Sequence, residues 1–117
     1  MDLIQRDVQG IAVLDLVGKL TSNDGADQLG GRVATLVADG RRQVVLNLGQ
    51  LSYMDSSGLG EIVACYSKLR KVGGVIKLAN TTARIQDLLT ITKLVTVFDS
   101  YDTEALALAS LAIPVAE

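Results

Sequence analysis

Asp55, Ser56 and Ser57 place a carboxylate and two hydroxyls side by side, with Gly58 and Gly60 close behind. Such a hydroxyl pair can attack a substrate, receive a phosphate or cap a helix. Attack needs a base to take the hydroxyl proton, and the 117-residue chain has no histidine. That absence excludes Ser-His-Asp and Cys-His mechanisms and the common histidine-based metal sites. A Ser-Lys arrangement would have to recruit Lys19, the only basic residue in a neighbouring loop. Ester turnover that depends on Ser56 would be its mark, and the chain is read as a non-enzyme. One carboxylate at Asp55, with no clustered acids, is a poor metal site. No Gly-x-x-x-x-Gly-Lys-Ser/Thr pattern exists, so a Walker-type nucleotide site has no support. No cofactor is expected. The single cysteine, Cys65, has no cation placed in sequence to lower its pKa, and reads as a small packed residue.

The surrounding elements decide what the hydroxyls can do. Gln43 to Leu48 is a short apolar run without polar alternation, which suits a strand covered on both faces. Gly49 and Gln50 break it. After Gly60, Leu59, Ile62, Val63, Tyr66 and Leu69 form one stripe of a helix. A buried strand therefore feeds a helix, and Asp55-Ser56-Ser57-Gly58 is the join. A helix start leaves N–H groups unpaired and carries partial positive charge. Hydroxyls there can cap the helix, or hold a phosphate where the backbone favours one. In open α/β sheets functional sites lie beyond the carboxyl ends of strands, where this pair sits. Local chemistry does not choose between Ser56 and Ser57. Asp55 suits orienting the turn and contacting a partner. Gly58 and Gly60 admit a partner's backbone or fit the turn. Tyr53 and Met54 read as half-buried supports of the loop, with partner contact as the lesser reading.

The rest of the chain supplies one aliphatic core. Apolar residues make up 49% but aromatics only 3%, enough for a single domain that buries about two thirds of its unfolded surface. The net charge of −2 offers no footprint for nucleic acid or an anionic membrane. The start, Met1-Asp2-Leu3-Ile4-Gln5-Arg6, lacks the pattern of a signal peptide. No apolar stretch approaches the ~20 residues that span a bilayer. One cysteine permits no internal disulfide and fits a reducing cytoplasm.

Taken in order, Leu3 to Val8 is a weak strand, Gln9-Gly10 a turn, and Ile11 to Val17 a second strand. Its core face is Ala12, Leu14 and Leu16, because Asp15 interrupts the other face. Gly18 to Gly25 is a polar turn region in which Ser22, Asn23 or Asp24 can cap the next helix. That helix carries the stripe Leu29, Val33, Leu36 and Val37 and ends at Gly40, with Arg41 and Arg42 beside its negative end. Gly73-Gly74 stops the serine-bearing helix. Val75 to Ala79 is a strand, and Asn80-Thr81-Thr82 caps a short helix through Ile85, Leu88 and Leu89. Val95 to Phe98 is the expected last strand. Asp102 or Thr103 opens a final helix through Leu106, Ala109 and Leu111, closed by Pro114. The fold class is α/β, a mixed four- to five-stranded sheet with an N-terminal hairpin and about four packed helices.

The stretch Leu-Ser-Tyr-Met-Asp-Ser-Ser-Gly-Leu-Gly, after an Asn-Leu strand end, resembles the signature of the bacterial anti-sigma factor antagonists, the small stand-alone members of the STAS domain family. Weaker similarities run along most of the chain: Gly18-Lys19-Leu20, Val72-Gly73-Gly74, the run from Leu94 to Phe98, and Thr103-Glu104-Ala105-Leu106. The resemblance implies a STAS domain over residues 1–112 and a short tail over 113–117. It implies phosphorylation of the serine directly after the aspartate, here Ser56, by a partner anti-sigma factor that is a serine/threonine kinase. A separate serine phosphatase would reset the switch, and Ser57 would be left as the cap. The implied partner surface is Lys19, Thr21, Asp24, Met54, Asp55, Ser57, Gly58 and Gly60. Family members often carry an acidic residue and an aspartate where this chain has Lys19 and Thr21, which bears on the choice of kinase. STAS domains also serve as scaffolds in signalling assemblies and as accessory parts of membrane transport systems. A stable large homo-assembly on size-exclusion chromatography would favour that role; a monomer or weak dimer fits the antagonist.

Overall fold

Gln9 and Gly10 both adopt positive φ, 55° and 82°, the backbone of a type I′ turn. They join β1 (Asp2–Val8) to β2 (Ile11–Leu20) as an antiparallel hairpin in which Val8 faces Ile11. The computed structural model describes residues 1–111; Pro114 and the expected tail lie outside them. After the hairpin come α1 (Ala26–Ala38), β3 (Gln43–Met54), α2 (Ser56–Lys71), β4 (Val75–Ala79), α3 (Ala83–Ile91), β5 (Ser100–Tyr101) and α4 (Glu104–Leu111). Among the described residues the five strands lie in chain order, and β2 to β5 run parallel. The expected mixed sheet and helix number are therefore found.

Two apolar clusters hold the layers. Ala12, Leu14 and Leu16 of β2, with Val44, Leu46 and Leu48 of β3, pack against Leu29, Val33, Ile62, Leu69 and Leu89 from α1, α2 and α3. The other face is also covered, contrary to the reading that Asp15 spoils it: Ile11, Val13, Val45 and Ala79 are buried under Ala107 and Leu111 of α4. Asp15 is accommodated because Arg6 forks across its carboxylate at 2.7 and 2.9 Å. Arg6 also bonds Glu104 at the start of α4, and the Asn47 amide donates to the same carboxylate at 3.0 Å. This polar cluster ties α4 to the sheet.

The Arg6 hydrogen bond holds the Glu104 carboxyl below the usual carboxylate range; partial burial opposes it and Asn47 adds to it. A carboxylate depressed on folding stabilises the fold above its unfolded pKa of about 4.3 and loses that contribution as pH falls through its folded value. Thermal melts should therefore show stability dropping as pH is lowered below about 4, and dropping less steeply for Glu104→Gln. Parallel curves would show that the cluster does not couple α4 to the fold.

Several boundaries differ from the sequence reading. β3 does not stop at Gly49-Gln50 but runs to Met54, with register shifts against β2 on either side of Gly18 and Val17. The extra β3 residues form bulges, and glycine in a strand marks a bulge as readily as an end. β2 likewise continues to Leu20. Val95 to Phe98 is a tight turn, in which Leu94 C=O accepts from Val97 and Phe98 N–H; β5 comes afterwards. Phe98 alone of that run is buried, edge-on to Tyr66 at 5.4 Å. In α4 the buried residues are Ala107 and Leu111, while Leu106 is more than half exposed. Its cap is Thr103, whose hydroxyl accepts from Leu106 N–H.

Candidate functional site

β2 and β3 are parallel neighbours, so their carboxyl ends finish together. Lys19 pairs in register with Tyr53, and Leu20 with Met54. Asp55 follows at once, in extended backbone, and α2 begins at Ser56. The Asp55 carboxylate accepts from Gly58 N–H at 2.8 Å, while its carbonyl accepts from Leu59 N–H at 3.0 Å. Asp55 is thus the helix cap, and the expected capping by Ser57 is corrected. Ser56 and Ser57 occupy the first two helical positions, and both are exposed. The N–H groups at these positions have no partner inside a helix. The site is an exposed hydroxyl pair on a helix start, with unpaired donors beneath it and a carboxylate beside it.

Gly58 is buried against the end of β2. A Cβ built there would lie 2.1 Å from Leu20 O and 2.8 Å from its carbonyl carbon. Its glycine serves internal packing and not the approach of a partner, a correction to that reading. Gly60 is exposed with open space around it, so its surface remains available. Tyr53 and Met54 were expected to share one half-buried role, and they divide it. Tyr53 is 43% exposed, whereas Met54 is only 7% exposed and belongs to the core. Burial removes Met54 from the contact surface.

The β2–α1 loop lies beside this start. Lys19 is exposed and Thr21 half-buried. Thr21 exchanges backbone hydrogen bonds with Asp24, at 2.8 and 3.2 Å, which closes the loop into a tight turn. Asp24 does not cap α1: the cap residue is Gly25, without a side-chain hydrogen bond, and the Asp24 carboxylate pairs with the Met1 ammonium. Sequence reasoning missed a groove next to the site, lined by Leu51, Tyr53, Thr82, Arg84, Ile85 and Leu88. The end of β3 and the start of α3 form it, elements whose adjacency no short-range pattern signals.

Cys65 is fully buried, and burial, followed by the Glu61 carboxylate, pushes its thiol up to about 12. It is a small packed residue, as the sequence reading expected. Among the described residues no group of three or more potential metal-ligating side chains occurs, and no helix is long and apolar enough to cross a membrane.

The STAS domain family model matches residues 4–107. The chain belongs to the STAS domain family. It is 32% identical over 108 residues, covering 90% of each chain, to the anti-sigma F factor antagonist of Paenibacillus polymyxa. An anti-sigma factor antagonist from Mycobacterium paratuberculosis shares its fold at a TM-score of 0.83 and 24% identity, over 93% of this chain and 92% of the other. The Bacillus cell fate determinant SpoIIAA, solved in its phosphorylated form, superposes at a TM-score of 0.75 and 22% identity, over 95% of this chain and all of the other. These likenesses cover the sheet, the helices and the β3–α2 join. This STAS domain carries its exposed Ser56–Ser57 hydroxyl pair at the carboxyl end of the central strand.

Proposed function

We propose that this chain is an anti-sigma factor antagonist that works as a phosphoswitch. Unmodified, it binds an anti-sigma factor that is a serine/threonine kinase, and the sigma factor is released. The kinase then transfers the γ-phosphoryl group of its own ATP to the Ser56 hydroxyl; ADP leaves, and the hydroxyl proton is lost to the kinase's base. A serine phosphatase restores the hydroxyl by hydrolysis. The chain itself does no chemistry and acts in the cytoplasm. The observation that carries this reading is that Asp55 already caps α2, so Ser56 is exposed and unoccupied at a helix start suited to an anion. The contact surface would be Lys19, Thr21, Asp55, Ser57 and Gly60 around that serine, with Asp24 shaping the loop from behind. Incubation with the cognate kinase and ATP should place one phosphate on Ser56, located by fragment mass spectrometry. Phosphate on Ser57 with Ser56 unmodified would move the switch by one residue, and phosphate on neither would overturn the proposal.

Lys19 and Thr21 stand where relatives often carry acids, so the favoured kinase should present an acidic or neutral surface to this loop. Lys19 is exposed and forms no ion pair among the described residues. Lys19→Glu should therefore slow association and alter its salt dependence while leaving the melting temperature nearly unchanged. Stopped-flow binding across a salt series checks this; an insensitive rate would place the loop outside the interface.

A further inference from the structure

Among the described residues β1 is an edge strand, seven residues long, and its ladder to β2 runs without a bulge. It also lacks proline; its edge charges Asp2, Arg6 and Asp7 are the blunting device it does carry, and the register below pairs Asp2 with Arg6. The type I′ turn makes Val8 and Ile11 a hydrogen-bonded pair, and such pairs alternate along an antiparallel ladder. Asp2, Ile4, Arg6 and Val8 therefore spend their N–H and C=O groups on β2. Leu3, Gln5 and Asp7 turn theirs outward, away from the sheet.

We propose that this edge pairs antiparallel with the same edge of a second copy, with the two-fold axis between the two Ile4 residues. The side chains select this register. It sets Ile4, 52% exposed, against its own equivalent in a non-hydrogen-bonded pair, where Cα atoms approach to about 4.5 Å. Leu3 and Gln5 then exchange backbone hydrogen bonds across the axis, which uses their outward groups. Asp2 of each copy faces Arg6 of the other. Other registers in phase with the outward groups place Ile4 against Asp2 or Arg6, or Arg6 against Arg6. Arg6 already meets Asp15 and Glu104, so the Asp2 pairing sets register more than strength, and Ile4 is the main contact. The paired sheets would form one ten-stranded sheet. β1 is separated from β3 by β2, so Ser56 lies outside the contact, and the inference does not depend on the proposed function.

Sedimentation of the full chain over a concentration series should show the mass rising from 12.4 kDa toward twice that value. Gln5→Pro removes an outward donor without touching the β1–β2 ladder, and should give a single-chain mass throughout with an unchanged far-UV circular dichroism spectrum. Ile4→Cys should form a disulfide-linked dimer under a mild oxidant, because the two sulfurs face each other and Cys65 is buried. Asp2→Cys, opposite Arg6, should stay unlinked. A single-chain mass at every concentration, a dimer that survives Gln5→Pro, or equal cross-linking of the two cysteine variants would overturn the proposal.

Discussion

Gly58→Ala should be the most damaging single-atom change at the site. The added Cβ would sit 2.1 Å from Leu20 O, a backbone atom that no rotamer change can move. Either the first turn of α2 must lift off β2 or the end of β2 must retreat. Forced overpacking of this kind costs typically 1–3 kcal/mol and occasionally more. Alanine returns about 1 kcal/mol of helix propensity. With steric strain at the top of its range the net loss is about 2 kcal/mol, a fall of roughly 10 °C in melting temperature for a domain near this size. Gly60→Ala is the control two residues on. Nothing lies within 4 Å of its added Cβ, so it should gain roughly 0.5–1 kcal/mol from the same propensity. Melts of the two variants beside the unmodified chain decide it. A Gly58→Ala protein as stable as Gly60→Ala would mean that the join between β2 and α2 is loose.

That contrast shows where sequence reasoning reaches its limit. Two glycines in one helical turn look alike, and only the neighbouring strand distinguishes them. The existence of the strand-to-helix join was legible, because a short apolar run bounded by Gly49-Gln50 and followed by a three-and-four spacing suits a strand feeding a helix, although the strand itself runs on to Met54. The α1 and α2 stripes followed from the same rule. Asp24 misled because loop residues with capping chemistry are interchangeable in sequence, and the Met1 contact that engages it is 23 residues away. α4 misled because it is apolar almost all round, so its period gives no direction; Ala107 and Leu111 face inward only because Ile11 and Val13 await them. Val95 to Phe98 has strand composition, yet Leu94 C=O closes it into a local turn and Phe98 packs edge-on to Tyr66, a context that overrides β propensity. At the site, the position of Asp55 was legible. Its capture of the cap, which leaves both hydroxyls exposed, required geometry.

Phosphorylated Ser56 should leave its kinase without losing its fold. The modification adds roughly −1.5 to −2 charges near pH 7. Within the chain the new group adjoins Asp55, which is unfavourable, but it also sits on the first turn of α2, which favours an anion by about 0.3–1 kcal/mol when exposed. Because the Asp55 carboxylate already bonds Gly58 N–H, the phosphate has no need to displace the cap. The terms oppose one another, and far-UV circular dichroism should barely change. In the complex the balance differs. Closing a protein surface over the phosphate strips its water, and any facing carboxylate adds repulsion of about 4 kcal/mol for unit charges ~4 Å apart at an effective dielectric of 20. Even ~3 kcal/mol weakens binding on the order of a hundredfold. Ser56→Ala should therefore bind the kinase persistently, and phosphorylated Ser56 should bind about a hundredfold more weakly. Ser56→Asp should fall between them, with less charge and fewer acceptors. Calorimetric titration of the three forms against one kinase measures this. Equal affinities, or an affinity loss that tracks loss of helix signal, would show that surface electrostatics do not operate the switch.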